Sequence, residues 1–113
     1  MDTNILIYSA ILKNWLNTYA NYVNGSKSTD YEVVEDDVHF RYQVVRTGWN
    51  DDIFEFNVVF HFQIKPTGKV WLLVNNTDVL VADELVEMGI PKSDIVIGFL
   101  PESVRPYSGF AVV

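Results

Sequence analysis

The sequence predicts an α+β fold: an N-terminal helix packed on a four-stranded antiparallel meander, then a short second helix and an irregular C-terminal segment. Three observations predict it. Apolar residues recur at intervals of three and four between Tyr8 and Val23, apolar and polar residues alternate from Tyr31 onward, and the helical spacing returns after Asp78.

In the first helix Tyr8, Ile11, Leu12, Trp15, Leu16, Tyr19 and Val23 form one apolar stripe, with Lys13, Asn14, Asn17, Thr18 and Asn21 opposite. Asp2 or Thr3 can cap its start, Asn24-Gly25 offers the left-handed residue that ends helices, and residues 26–30 form a polar loop. A short strand over residues 31–35 follows and joins the next through Asp36-Asp37. That next strand alternates Phe40, Tyr42 and Val44 with His39, Arg41 and Gln43, and residues 48–52 (Gly-Trp-Asn-Asp-Asp) supply turn chemistry. The longest alternation is residues 53–65. There Phe54, Phe56, Val58, Phe60, Phe62 and Ile64 share one parity, which predicts a long strand with one buried face. Pro66-Thr67-Gly68 turns the chain into a fourth strand over residues 69–74. The sheet's single apolar face needs a cover, which the N-terminal helix can supply. The second helix points Val81, Leu85 and Met88 inward and Asp83, Glu84 and Glu87 outward, and stops at Gly89 and Pro91. Residues 95–99 are an apolar run whose type periodicity does not settle, and Pro101 and Pro106 bracket a single turn before an apolar tail.

At 113 residues the chain has surface enough to bury for one domain, residues 1–113, and 49% hydrophobic with 14% aromatic residues supply its core. With no cysteine, disulfides, thiolate chemistry and cysteine-ligated zinc are excluded together. The start Met1-Asp2-Thr3-Asn4 carries no basic n-region, and no apolar stretch approaches a membrane span, so a cytoplasmic location is expected. Eight basic residues stand against fifteen acidic ones, for a net charge of -7. Duplex binding draws its affinity from Lys and Arg replacing counterions on phosphates, so direct nucleic-acid binding is not expected.

Few side chains suggest chemistry. His39 and His61 fall on the polar faces of adjacent strands, and a hairpin centred on Asn50 would set them opposite each other. They lack an evident third ligand, so the expectation is no metal and no cofactor. Asp83, Glu84 and Glu87 read either as the solvated face of a helix or as a partner-facing acidic patch. Arg105 and Tyr107, set among apolar and proline-fixed neighbours, read as an internal clamp on the tail or as an interface anchor, with the clamp preferred. No catalytic residue is identified. The candidate partner-binding residues are Asp83, Glu84, Glu87, Lys92, Arg105 and Tyr107. Exposed sheet edges and abundant aromatics also allow a homodimer.

Several words occur in order: Gly48-Trp49, His61, Ile64-Lys65, Gly68-Lys69-Val70-Trp71, Ala82-Asp83-Glu84-Leu85-Val86, Pro91-Lys92, Asp94-Ile95-Val96 and Arg105-Pro106-Tyr107-Ser108-Gly109-Phe110-Ala111. From about Tyr42 to the C-terminus, with a weaker echo in the opening helix, the chain resembles the XisI family, the fdxN-element excision controlling factors. The resemblance implies a small α+β protein, without established catalytic activity, acting in programmed excision of a DNA element. Its implied partners are a site-specific recombinase and a XisH-like protein related to nucleases. An acidic, antitoxin-like inhibitor of a nuclease is the alternative, and a small enzyme or metal-binding protein a more distant one. The chain departs from the family pattern at residues 75–80 (Asn-Asn-Thr-Asp-Val-Leu). It departs also where Ile53, Phe54 and Phe56 replace polar and basic residues, in the longer turn at Pro66-Thr67, and at Leu100 and Glu102. Altered function is expected at the 75–80 turn.

Overall fold

A computed structural model describes residues 3–24 and 29–113. Asp2 as a cap, Gly25 as a helix stop and residues 26–28 of the polar loop lie outside the described residues. Helix α1 (Thr3–Asn24) buries Tyr8, Leu12, Trp15, Leu16 and Val23 of its predicted stripe, together with Ser9 and Ala20. Ile11 and Tyr19 pack partly buried at its margins. Each leucine taken fully out of water contributes about 1.5–3 kcal/mol, which makes this stripe the helix's main support. At its C-terminal end Asn24 donates to the Tyr31 carbonyl and accepts from the Tyr31 amide, both at 2.8 Å, so the helix end is tied to the first strand.

The sheet has five strands in the order β1 (Asp30–Asp36), β2 (Arg41–Asn50), β3 (Ile53–Ile64), β4 (Val70–Asn75) and β5 (Ile95–Ile97). The first four form the predicted antiparallel meander, but β5 pairs parallel to β4, so the sheet is five-stranded and mixed. The expectation of four antiparallel strands missed β5 for a physical reason. Ile95, Val96 and Ile97 are all buried, on both faces, and a strand buried twice over has no alternation to read. Between β4 and β5 runs α2 (Val81–Glu87), the crossover that a parallel pair requires. Its inward side is Val81, Ala82 and Leu85; Met88, expected inside, is 36% exposed, and Ile90 takes the buried place beyond the turn. Gly89, at φ +117°, ends α2: its amide donates to the Val86 carbonyl and that of Ile90 reaches back to Leu85, the Schellman arrangement. The expected single turn of the tail is the 3-10 turn Arg105–Tyr107, with Pro106 inside it rather than at its border.

A second correction concerns β3. Its register with β2 slips between Val44 and Val45: Val44 pairs with Phe60, yet Val45 pairs with Val58, so Val59 is an extra residue, a β-bulge. Val59 and Phe60 are both buried as a result. Because β2 alternates without interruption, its inward Tyr42 and Val44 put Val45, Thr47 and Trp49 on the opposite face, and their partners Val58, Phe56 and Phe54 go with them. Phe54 and Phe56 are therefore not core. They stand 52% and 69% exposed, while Phe60 and Phe62 are fully buried beneath α1. Length also contributes: a 12-residue strand runs roughly 40 Å and a 22-residue helix only about 33 Å, so α1 cannot cover all of β3.

Candidate functional site

The sequence-derived candidates fall into two groups. On α2, Asp83, Glu84 and Glu87 are all exposed, and Asp83 and Glu84 sit in the first turn, where a carboxylate suits the helix dipole. Glu84 also serves the fold itself, since its Oε1 accepts a hydrogen bond of 2.9 Å from Trp15 Nε1, which joins α1 to α2. The preceding turn is braced in the same way. The Asn75 side chain donates to the Val79 carbonyl and accepts from the amide and hydroxyl of Thr77, and Asn76 donates to the Val58 carbonyl. Residues 75–79 thus hold themselves and the bulge of β3 in place.

In the C-terminal group Arg105 is the clamp that the sequence favoured. Its Nε donates to the Leu100 carbonyl at 3.1 Å, and its two terminal nitrogens reach the carbonyls of Val112 and Gly98 at 3.3 Å. The guanidinium lies 5.0 Å from the Trp71 ring, which also carries the Lys65 ammonium at 3.7 Å. Gly98 is required here, since a Cβ would sit 2.8 Å from Leu73 and 2.9 Å from Trp71. Ala111 bridges to Val96, its amide donating to the Ile95 carbonyl, so the tail pairs along the free edge of β5 while Arg105 covers Trp71 of β4. Tyr107 is 87% exposed, and Lys92, also exposed, lies 5.9 Å from the Phe110 ring. The six residues do not converge on one cavity. Glu84 lines a groove with Trp15, Tyr19 and Tyr22, Asp83 a hollow with Leu80 and Phe99, and Lys92 a third with Lys69 and Phe110.

The histidines do not face each other. The hairpin turns at Asp51-Asp52 rather than at Asn50, and the bulge adds one more step of register, so His61 stands opposite Gln43. His39 lies in the β1–β2 turn, its Nδ1 2.8 Å from Asp36. On His61, Nδ1 donates to Gln43 Oε1 at 2.9 Å and Nε2 accepts from Arg41 at 3.2 Å, an assignment that the partners dictate. Burial first, and the Arg41 charge second, hold its pKa below the ordinary histidine value. Among the described residues no three His, Cys, Asp or Glu side chains gather as a metal site would need. The carboxyls nearby run opposite to what a general acid needs. The His39 amide leads in lowering the pKa of Asp36, and the Tyr42 hydroxyl leads in lowering that of Asp37.

The surface that sequence reasoning missed is the distal arm of the β2–β3 hairpin. Trp49 and Phe54, cross-strand partners, have ring centroids 5.2 Å apart, with Phe56, Val58 and Val45 on the same face. The available signal was Val59: an apolar residue at the polar parity of a long alternation marks the place where the two faces exchange.

The family model for the XisI protein matches residues 1–112. The chain belongs to the XisI family. Beyond the stretch from Tyr42 onward and the echo in the opening helix, the match takes in the first strand. The crystal structure of a XisI-like protein from Anabaena variabilis ATCC 29413 is 33% identical, with a TM-score of 0.88, covering 96% of this chain and 99% of that one. The fdxN element excision controlling factor XisI from the same organism is 23% identical and shares the fold, with a TM-score of 0.84 over 97% of this chain and 99% of its own. No curated protein matches. Among the described residues, no helix is long and apolar enough to cross a membrane.

Proposed function

We propose that this protein is a non-enzymatic controlling factor, acting in the cytoplasm in programmed excision of a DNA element by binding a protein partner, a XisH-like nuclease-related protein or a recombinase. XisI family membership over residues 1–112 carries the reading. The net charge of -7 supports a protein partner over DNA as the direct ligand. On this reading Asp83, Glu87, Lys92 and Tyr107 present exposed side chains to a partner, whereas Glu84 and Arg105 act first within the fold. The test is co-purification of the XisH-like protein and the recombinase with this chain, paired with an excision reporter in cells lacking it. A stable complex and altered excision are expected. Separate elution from both candidates, with unchanged excision, would overturn the reading.

A further inference from the structure

The distal arm presents an apolar face that the fold leaves uncovered. Its members are Trp49 (63% exposed), Phe54 and Phe56, flanked by the half-buried Val45 and Val58. Both helices lie on the other side of the sheet, where Arg46 pairs with Glu55 at 3.4 Å, and the C-terminal strap reaches only β4 and β5. The arm therefore has a polar, ion-paired side toward α1 and an aromatic side toward solvent, the reverse of what a hairpin built only for the core would show. Large aromatics on a rigid strand pair lose little freedom on binding and are the commonest anchors of protein interfaces.

The border of this face is acidic. Asp51 and Asp52 form the tip, and Asp30 and Glu32 extend the same surface on β1, opposite Thr47 and Val45. All four are exposed, and none makes an ion pair among the described residues. The basic residue on this part of the hairpin, Arg46, is on the other face and already paired. A second copy of the chain would bring four more carboxylates to the same border, and like charges set against each other penalise association.

We infer that the outer face of the β2–β3 arm is the docking surface for a protein whose own contact patch is apolar and bordered by Lys and Arg. Trp49, Phe54 and Phe56 are the anchors; Asp30, Glu32, Asp51 and Asp52 steer the encounter and set the orientation. This deepens the proposed function and rests on its premise that the chain works through a protein partner.

The test places a photo-crosslinking benzoylphenylalanine at Phe56, and in a second variant at Tyr107, in the full chain in its host. Mapped crosslinks from position 56 are expected on one partner segment that joins apolar residues to Lys or Arg. With that partner purified, the W49T/F54T/F56T variant should bind at least about tenfold more weakly at unchanged melting temperature, on the scale of lost hot-spot anchors. Asp51→Asn with Asp52→Asn should slow association chiefly at low salt. Crosslinks from position 56 to a second copy, crosslinks only from position 107, or no crosslink at all would overturn the inference, as would full affinity of the triple variant. A partner that meets these expectations but is neither XisH-like nor a recombinase would sink the proposed function and leave the docking face standing. A XisH-like complex indifferent to the arm would do the opposite.

Discussion

The proximal and distal halves of the β2–β3 hairpin are built from the same kinds of residue and meet opposite fates. Phe60 and Phe62 are fully buried under α1, whereas Phe54 and Phe56, on the same strand and at the same parity, are half or more in solvent. One inserted residue, Val59, separates them by exchanging the faces of β3. The proximal half sets its aromatics under α1 beside a β4 whose Trp71 the tail covers with Arg105; in the distal half nothing described in the fold lies over the outer face. An alternating sequence therefore specifies which residues share a face only as far as the next bulge. Beyond it, the same hydrophobic pattern that builds a core can build an interface.

The sharpest way to break this comparison is to truncate the same residue type on either side of the bulge. Phe60→Ala should lose about 3–5 kcal/mol of unfolding free energy, the usual cost of an emptied aromatic site in a packed core. Phe56→Ala should change it by only about 0.5 kcal/mol, as exposed substitutions do. Urea unfolding of the two variants decides. Similar losses at both positions would mean that the distal arm is core after all.

The strap supplies the next largest effect. Arg105→Gln removes three charge-assisted contacts to the carbonyls of Leu100, Gly98 and Val112 and the cation over Trp71, at a cost of about 1.5–3 kcal/mol. It should also move Trp71 emission to the red as the tail loosens. An unchanged melt and unchanged emission would show that the tail is held without Arg105, and that the two halves of the outer face differ less than the contacts indicate.

Much of this architecture was legible. The stripe of α1, the four antiparallel strands, the stop at Gly89 and the Arg105 clamp all followed from periodicity and residue chemistry, because each depends on neighbours close in sequence. What was not legible depends on partners distant in sequence. β5 is readable only once β4 lies beside it, and the bulge only once β2 fixes the register. The histidine pair failed because register errors accumulate: a turn displaced toward Asp51 and one extra residue at Val59 move His61 from His39 to Gln43. The candidate site was the least legible. Sequence words drew attention to α2 and the tail, where Glu84 and Arg105 have structural partners, and to the 75–80 turn, whose asparagines brace the fold. The aromatic arm was hidden inside what read as core.

The smallest expected effect lies at the row where the two halves join. His61, on the outer face one residue beyond the Phe60 pair, is held neutral: its Nε2 accepts from Arg41, and its pKa is depressed by burial and then by that charge. The sign follows from linkage. Because the unfolded chain takes up a proton near pH 6.5 while the folded chain resists it, stability is full above that pH. It falls as the pH drops from there toward the lower folded-state pKa, below which the loss levels off. The comparison is between the native chain and His61→Gln, which keeps a polar side chain at the site without a titrating ring. Melting temperatures over pH 5 to 8 should fall more steeply on acidification in the native chain than in the variant. Equal slopes would place His61 in ordinary solvent contact, and with it the proximal outer face, which would then be as open as the distal arm.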